Sequence, residues 1–120
     1  MIIFVFGSNR AGIHGAGAAL TARLHYGAIP GEGEGLYGNS YAIPTKGYTL
    51  SALPLSEIKK HINTFKEHAA LRLQDCGLMH LYLVTCIGCG LTGYKHEEIA
   101  PLFKDAPENC FFDKRWAPYL

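Results

Sequence analysis

Two glycine-rich segments carry the chemistry that can be read from these 120 residues. The first, Gly7-Ser8-Asn9-Arg10-Ala11-Gly12-Ile13-His14-Gly15-Ala16-Gly17, leaves an apolar run at residues 2–6 and enters a stretch rich in alanine. Strand, glycine loop and helix start, in that order, make a device for holding a phosphate. The glycines let the backbone approach an anion, and the first free N–H groups of the helix point at it. The second, Ile87-Gly88-Cys89-Gly90-Leu91-Thr92-Gly93-Tyr94, also follows an apolar run. Two such loops suit a ligand with two phosphates, or with a phosphate and a sugar. Within them, Asn9 and His14 are candidate ligand contacts. Tyr94 and, elsewhere, Tyr37 are candidate stacking surfaces for a base or sugar. Each has a structural alternative: Gly15 and Gly17 as close helix–strand packing, Asn9 as a brace of its own loop, His14 as a loop surface residue, and the tyrosines as lids on the core.

Cys86 and Cys89 form a Cys-x-x-Cys, which opens a second chemistry. Redox use requires a helix N-terminus beside the pair. Zinc requires two further ligands, and no second Cys-x-x-Cys or histidine pair follows at the usual spacing. The expected reading is structural: Cys86 ends a buried strand and Cys89 is a small residue in a tight turn. No metal and no cofactor are expected. A net charge of +1 without a Lys/Arg cluster gives no electrostatic case for a nucleic-acid surface. The N-terminal apolar run has no basic flank and is broken at once by Gly7, Asn9 and Arg10, unlike a secretory signal. No stretch is long enough to span a bilayer. A cytoplasmic protein with free thiols is the expectation.

The elements that must position these loops follow from periodicity. Residues 2–6 are apolar on both faces, as a central parallel strand is. Residues 16–26 predict a helix whose Ala18, Ala19 and Ala22 allow close approach to a sheet. A short strand is expected at residues 27–29, a loop at 30–39, a strand at 40–44 and a turn at 45–47. After Pro54, Leu55, Ile58, Ile62, Phe65, Ala69 and Leu73 recur on one helical face up to Gly77. A strand at 79–86, a short helix at 96–104, a strand at 110–112 and a packed aromatic tail complete the chain. Strands alternating with helices predict a single α/β domain with helices on the sheet faces. Both glycine loops then leave strands at their carboxyl ends, where such sheets bind ligands.

From about Phe6 to Phe103 the chain resembles the macro domain, an ADP-ribose-binding α/β fold. His14-Gly15-Ala16-Gly17-Ala18-Ala19, continuing to Tyr26-Gly27, is similar to the first ligand loop and helix of the branch that includes terminal ADP-ribose protein glycohydrolase. Ile43-Pro44-Thr45-Lys46 resembles that branch's lysine-bearing strand end, and Ile87-Gly88-Cys89-Gly90-Leu91 its second ligand loop. Short macro-like proteins of this kind occur in phage and bacterial genomes. The resemblance implies a three-layer fold, a mixed sheet with helices on both faces. It implies that the backbone of Gly15, Ala16, Gly17 and Ala18 and of Gly88, Cys89, Gly90, Leu91 and Thr92 wraps the diphosphate and distal ribose. It places Asn9 against that ribose and Lys46 as the nucleophile on the anomeric carbon. The implied partner is an ADP-ribose-like nucleotide or an ADP-ribosylated macromolecule.

Two positions depart from that branch. Its catalytic aspartate directly after the second loop is here Thr92, which takes no proton at neutral pH. An acid role would have to pass to another group, such as His14, Glu34 or Glu97, or be absent. The aspartate that holds adenine just after the first strand is also missing from Phe6-Gly7-Ser8. Rival readings are a Rossmann-like nucleotide hydrolase of the lysine-decarboxylase-like kind, whose Pro-Gly-Gly-x-Gly-Thr signature this chain lacks, and a metal- or thiol-based interaction module using Cys86 and Cys89.

Overall fold

The first strand, β1 (Ile2–Asn9), sits at the centre of the sheet in the computed structural model, which describes residues 1–120. Chain order continues with helix α1 (Gly17–His25), β2 (Gly35–Tyr37), β3 (Ser40–Lys46), helix α2 (Leu55–Cys76), β4 (Leu81–Val84), a single-turn helix α3 (His96–Ile99) and β5 (Cys110–Phe112). Short 3₁₀ segments occupy Gly77–Met79, Ala100–Phe103 and Lys114–Tyr119. The five strands form one mixed sheet in the order β2-β3-β1-β4-β5. Only β2 runs antiparallel, against β3. The α/β class and the helices on both faces are as expected.

Alternation along β1 divides the core. Ile3 and Val5 face α2, whose Ile58, Ile62, Phe65 and Ala69 are buried at the predicted helical spacing. Phe4 and Phe6 face α1, where Ala18, Ala19 and Ala22 let the helix lie close to the sheet. Trp116 is fully buried and packs on Phe103 and Phe112, so the aromatic tail closes the α2 side. Gly77, at φ +59°, ends α2 by directing its N–H to Leu73 O.

Several local expectations are corrected. Residues 27–29 form no strand: Ala28 N–H bonds Ala22 O, and Gly27 lies against Gly38 in a close backbone crossing. The stretch 30–39 is not all loop, because Gly38-Asn39 turns a hairpin that adds β2. Thr45 and Lys46 belong to β3 rather than to a turn. They continue the pairing with β1, where an irregularity after Ser8 brings Asn9 opposite Lys46. The strand at 79–86 shortens to Leu81–Val84, so Cys86 lies in the loop beyond it. Pro101 divides residues 96–104 into α3 and a 3₁₀ turn.

Candidate functional site

A cavity of about 560 Å³ opens beyond the carboxyl ends of β1, β3 and β4, within the size range of small-molecule sites. Gly7, Ser8 and Asn9 form its floor from β1, and Thr45 and Lys46 enter from β3. Gly15, Ala16, Gly17, Ala18 and Ala19 form one wall; Gly88, Cys89, Gly90, Leu91 and Thr92 form the facing one. The two glycine turns share one hollow.

The walls are rich in free donors. No side chain caps α1. The N–H groups of residues 15–19 meet no acceptor within the protein, and neither do those of Gly88, Gly90, Leu91 and Thr92. The lining contains Lys46 and Arg115 but no aspartate or glutamate. The electrostatics therefore favour an anion from both the backbone and the side chains.

Two kinds of glycine stand out. At Gly12 (φ +69°) a Cβ would stand 2.3 Å from Gly31 C, and at Gly33 it would stand 2.2 Å from Asn9 O. Those glycines are needed so that the 31–33 segment can cross the first loop. At Gly15 and Gly90 a Cβ would meet nothing within 4 Å, and neither residue has a positive φ. Neither packing nor backbone strain explains glycine at these two cavity-lining positions.

Asn9 is a brace. Its Oδ1 accepts from Ile13 N at 2.9 Å and its Nδ2 donates to Ile13 O at 2.8 Å, closing the loop on itself. It also lines the cavity. Lys46 reaches the cavity, and its ammonium takes part in none of the protein's ion pairs. Thr92 Oγ1 lies 3.1 Å from Thr45 Oγ1, fastening the second loop to the end of β3. His14 is not brought to the cavity: its buried ring packs edge-on to Phe6, with Nε2 3.1 Å from Glu32 O. Glu34 and Glu97 do not line the cavity either, and Glu34 instead pairs with His61 Nδ1 at 2.7 Å.

Neither tyrosine proposed as a stacking surface lines the cavity. Tyr94 donates to Leu53 O beside the core, and Tyr37 donates to Glu32 at the sheet edge. The rim instead carries Ile13, Leu50 and Leu91, all exposed aliphatic side chains. Cys86 and Cys89 line the cavity as thiols. Burial raises both, with Cys89 pushed up to about 11, so neither has the depressed value of a reactive thiolate. No group of three or more His, Cys, Asp or Glu side chains comes together to hold a metal ion.

Two hydrogen-bonding side chains of the lining, Arg115 and His96, carried no signal in the sequence. Arg115 enters from the Lys114–Tyr119 segment, and His96 from the start of α3. His96 Nδ1 lies 2.9 Å from Trp116 Nε1. Indole N–H only donates, so Nδ1 must accept and the ring proton sits on Nε2. While that bond stands, Nε2 can donate but cannot take up a proton. No helix is long and apolar enough to cross a membrane. No protein-family model matches this chain, and no curated protein or solved structure compared with it gives a significant match.

Proposed function

We propose that this domain binds ADP-ribose, or a related nucleotide sugar diphosphate, in the cavity between its two glycine loops. The observation that carries the reading is the pair Gly15 and Gly90. Both line the cavity, both have open space where a Cβ would stand, and neither has a backbone conformation that requires glycine. A ligand pressed against the backbone accounts for both. The unpaired amides on either side supply donors for a diphosphate, and the acid-free lining with Lys46 and Arg115 supplies the charge. Ile13, Leu50 and Leu91 give the apolar rim on which a sugar or base can lie.

This reading takes the fold as a macro-like arrangement, with β1 and β4 presenting the two ligand loops. The bound species is then a free nucleotide or an ADP-ribosylated macromolecule. Binding is favoured over hydrolysis. Lys46 lines the cavity, but no carboxylate does, and His96 is held as a donor.

Calorimetry with ADP-ribose, ADP and AMP tests the proposal. The expected result is saturable one-to-one binding that weakens in that order. No heat and no thermal shift with any of the three would remove it. Release of free base from AMP would point to the nucleotide-hydrolase chemistry instead. Incubation with an ester-linked ADP-ribosyl substrate tests turnover: any release of ADP-ribose is expected to vanish in Lys46→Ala, and release unchanged in that variant would exclude a lysine mechanism.

A further inference from the structure

The amide loops do not account for two side chains of the cavity lining, His96 and Arg115. Both are held by residues of the C-terminal segment. Trp116 Nε1 fixes His96 so that its Nε2–H is the free donor. Asp113 holds Arg115 through two contacts, Nε to Oδ1 at 2.9 Å and Nη2 to Oδ2 at 3.0 Å. Asp113 Oδ1 also accepts from Arg115 N at 2.9 Å, which pins the start of the 3₁₀ turn. The guanidinium has five N–H donors and Asp113 takes two, so the outer nitrogen Nη1 keeps both of its hydrogens. Asp113 offsets the arginine charge but does not itself line the cavity.

We propose that His96 and Arg115 form a second anion subsite, built by the C-terminal segment, which holds a phosphate or carboxylate carried by the ligand beyond the part gripped by the amide loops. Asp113 and Trp116 are its positioning residues. The inference rests on reading the cavity as a nucleotide-sugar site, and it adds a requirement: the favoured ligand is anionic at both ends. A planar fork of N–H groups beside a neutral imidazole donor suits an oxyanion better than a hydroxyl, because charge-assisted hydrogen bonds are the stronger kind.

NMR titration with four probes tests it: ADP-ribose, ribose 5-phosphate, ribose 1,5-bisphosphate and 5-phosphoribonate. The last two add a phosphate or a carboxylate at C1, so they separate the two sources of charge. At least one of them is expected to bind the wild-type protein about tenfold tighter than ribose 5-phosphate. In Arg115→Gln, an exposed change, that preference should shrink to less than about twofold, whatever the change in affinity for ribose 5-phosphate itself. The nitrogen shifts of His96 should show the proton on Nε2 in the wild type and lose that fixed state in Trp116→Phe. If ADP-ribose binds but the second anion gives no gain, or the gain persists in Arg115→Gln, the subsite is overturned and the nucleotide reading stands. If none of the four binds the wild type, the nucleotide reading fails and takes the subsite with it.

Discussion

Thr45 and Thr92 join β3 to the second glycine loop through hydroxyl oxygens 3.1 Å apart. Thr45 Oγ1 also lies 3.3 Å from Ser8 O, so its single hydrogen serves the β1 carbonyl and Thr92 supplies the other bond. Two parallel strand ends and the second glycine loop thus meet under the cavity. With its hydrogen committed to Thr45, Thr92 serves as a fastener. Thr92→Val should cost about 1 kcal/mol in chemical denaturation and weaken ADP-ribose only a few-fold, through the loosened loop. Complete loss of binding in a folded variant would instead place the Thr92 hydroxyl on the ligand.

The two kinds of glycine give opposite outcomes on substitution. Gly15→Ala and Gly90→Ala add a methyl group to open space and should change stability by no more than about 1 kcal/mol. They should lower ADP-ribose affinity at least about tenfold, because the methyl group stands where the ligand meets the backbone. Gly12→Ala and Gly33→Ala drive a Cβ into backbone 2.3 and 2.2 Å away, and should cost about 3 kcal/mol or more, or prevent folding. Thermal melts and calorimetry on the four variants separate the classes. Normal affinity in Gly15→Ala and Gly90→Ala together would remove the main support for a bound ligand.

Asn9 makes a prediction about the loop itself. Asn9→Ala deletes both bonds to Ile13 and leaves its backbone groups unpaired, at a cost of about 2 kcal/mol. Asn9→Asp keeps the acceptor for Ile13 N but loses the donor to Ile13 O, so its stability should fall between the two. Urea denaturation of the three proteins checks the order. A different order would mean that the side-chain amide does not hold the loop.

Two thiols, half-buried Cys89 and buried Cys110, set an alkaline limit. A cysteine ordinarily titrates at 9.0, and burial raises Cys89 to about 11 and Cys110 to about 12. Below pH 9 both the folded and unfolded states keep these protons, and the full stability is present. Above it the unfolded chain loses them first, so stability falls as pH rises toward the folded values. Denaturation midpoints between pH 8 and pH 11 should therefore decline, and Cys89→Ser should decline less steeply. An equal slope in that variant would show that Cys89 is not held protonated by the fold.

The sequence made legible the parts of the site that depend on one element at a time. A strand feeding a glycine loop and a small-residue helix announced residues 15–19, and the repeat of that grammar announced residues 88–92. The α2 stripe ending at Gly77 was equally local. What stayed hidden required contacts across the chain. Gly12 and Gly15 look alike as letters, and only the crossing of residues 31–33 shows that the first is structural. His14 sits beside Gly15 but turns into the core against Phe6, a choice made by the sheet face. Arg115 and His96 had no motif, since their positions depend on β5 pairing with β4 and on Trp116 filling the α2 side. The β2 hairpin had a local signal in Gly38-Asn39, overshadowed by the glycines before it.

The central claim is that the two rows of unpaired amides grip one ligand. Titrating ¹⁵N-labelled protein with ADP-ribose and following each amide tests it most directly. The account predicts saturable shifts concentrated at residues 15–19 and at Gly88, Gly90, Leu91 and Thr92, with the middle of α2 unmoved. Absence of any shift, or shifts centred away from both loops, would contradict it.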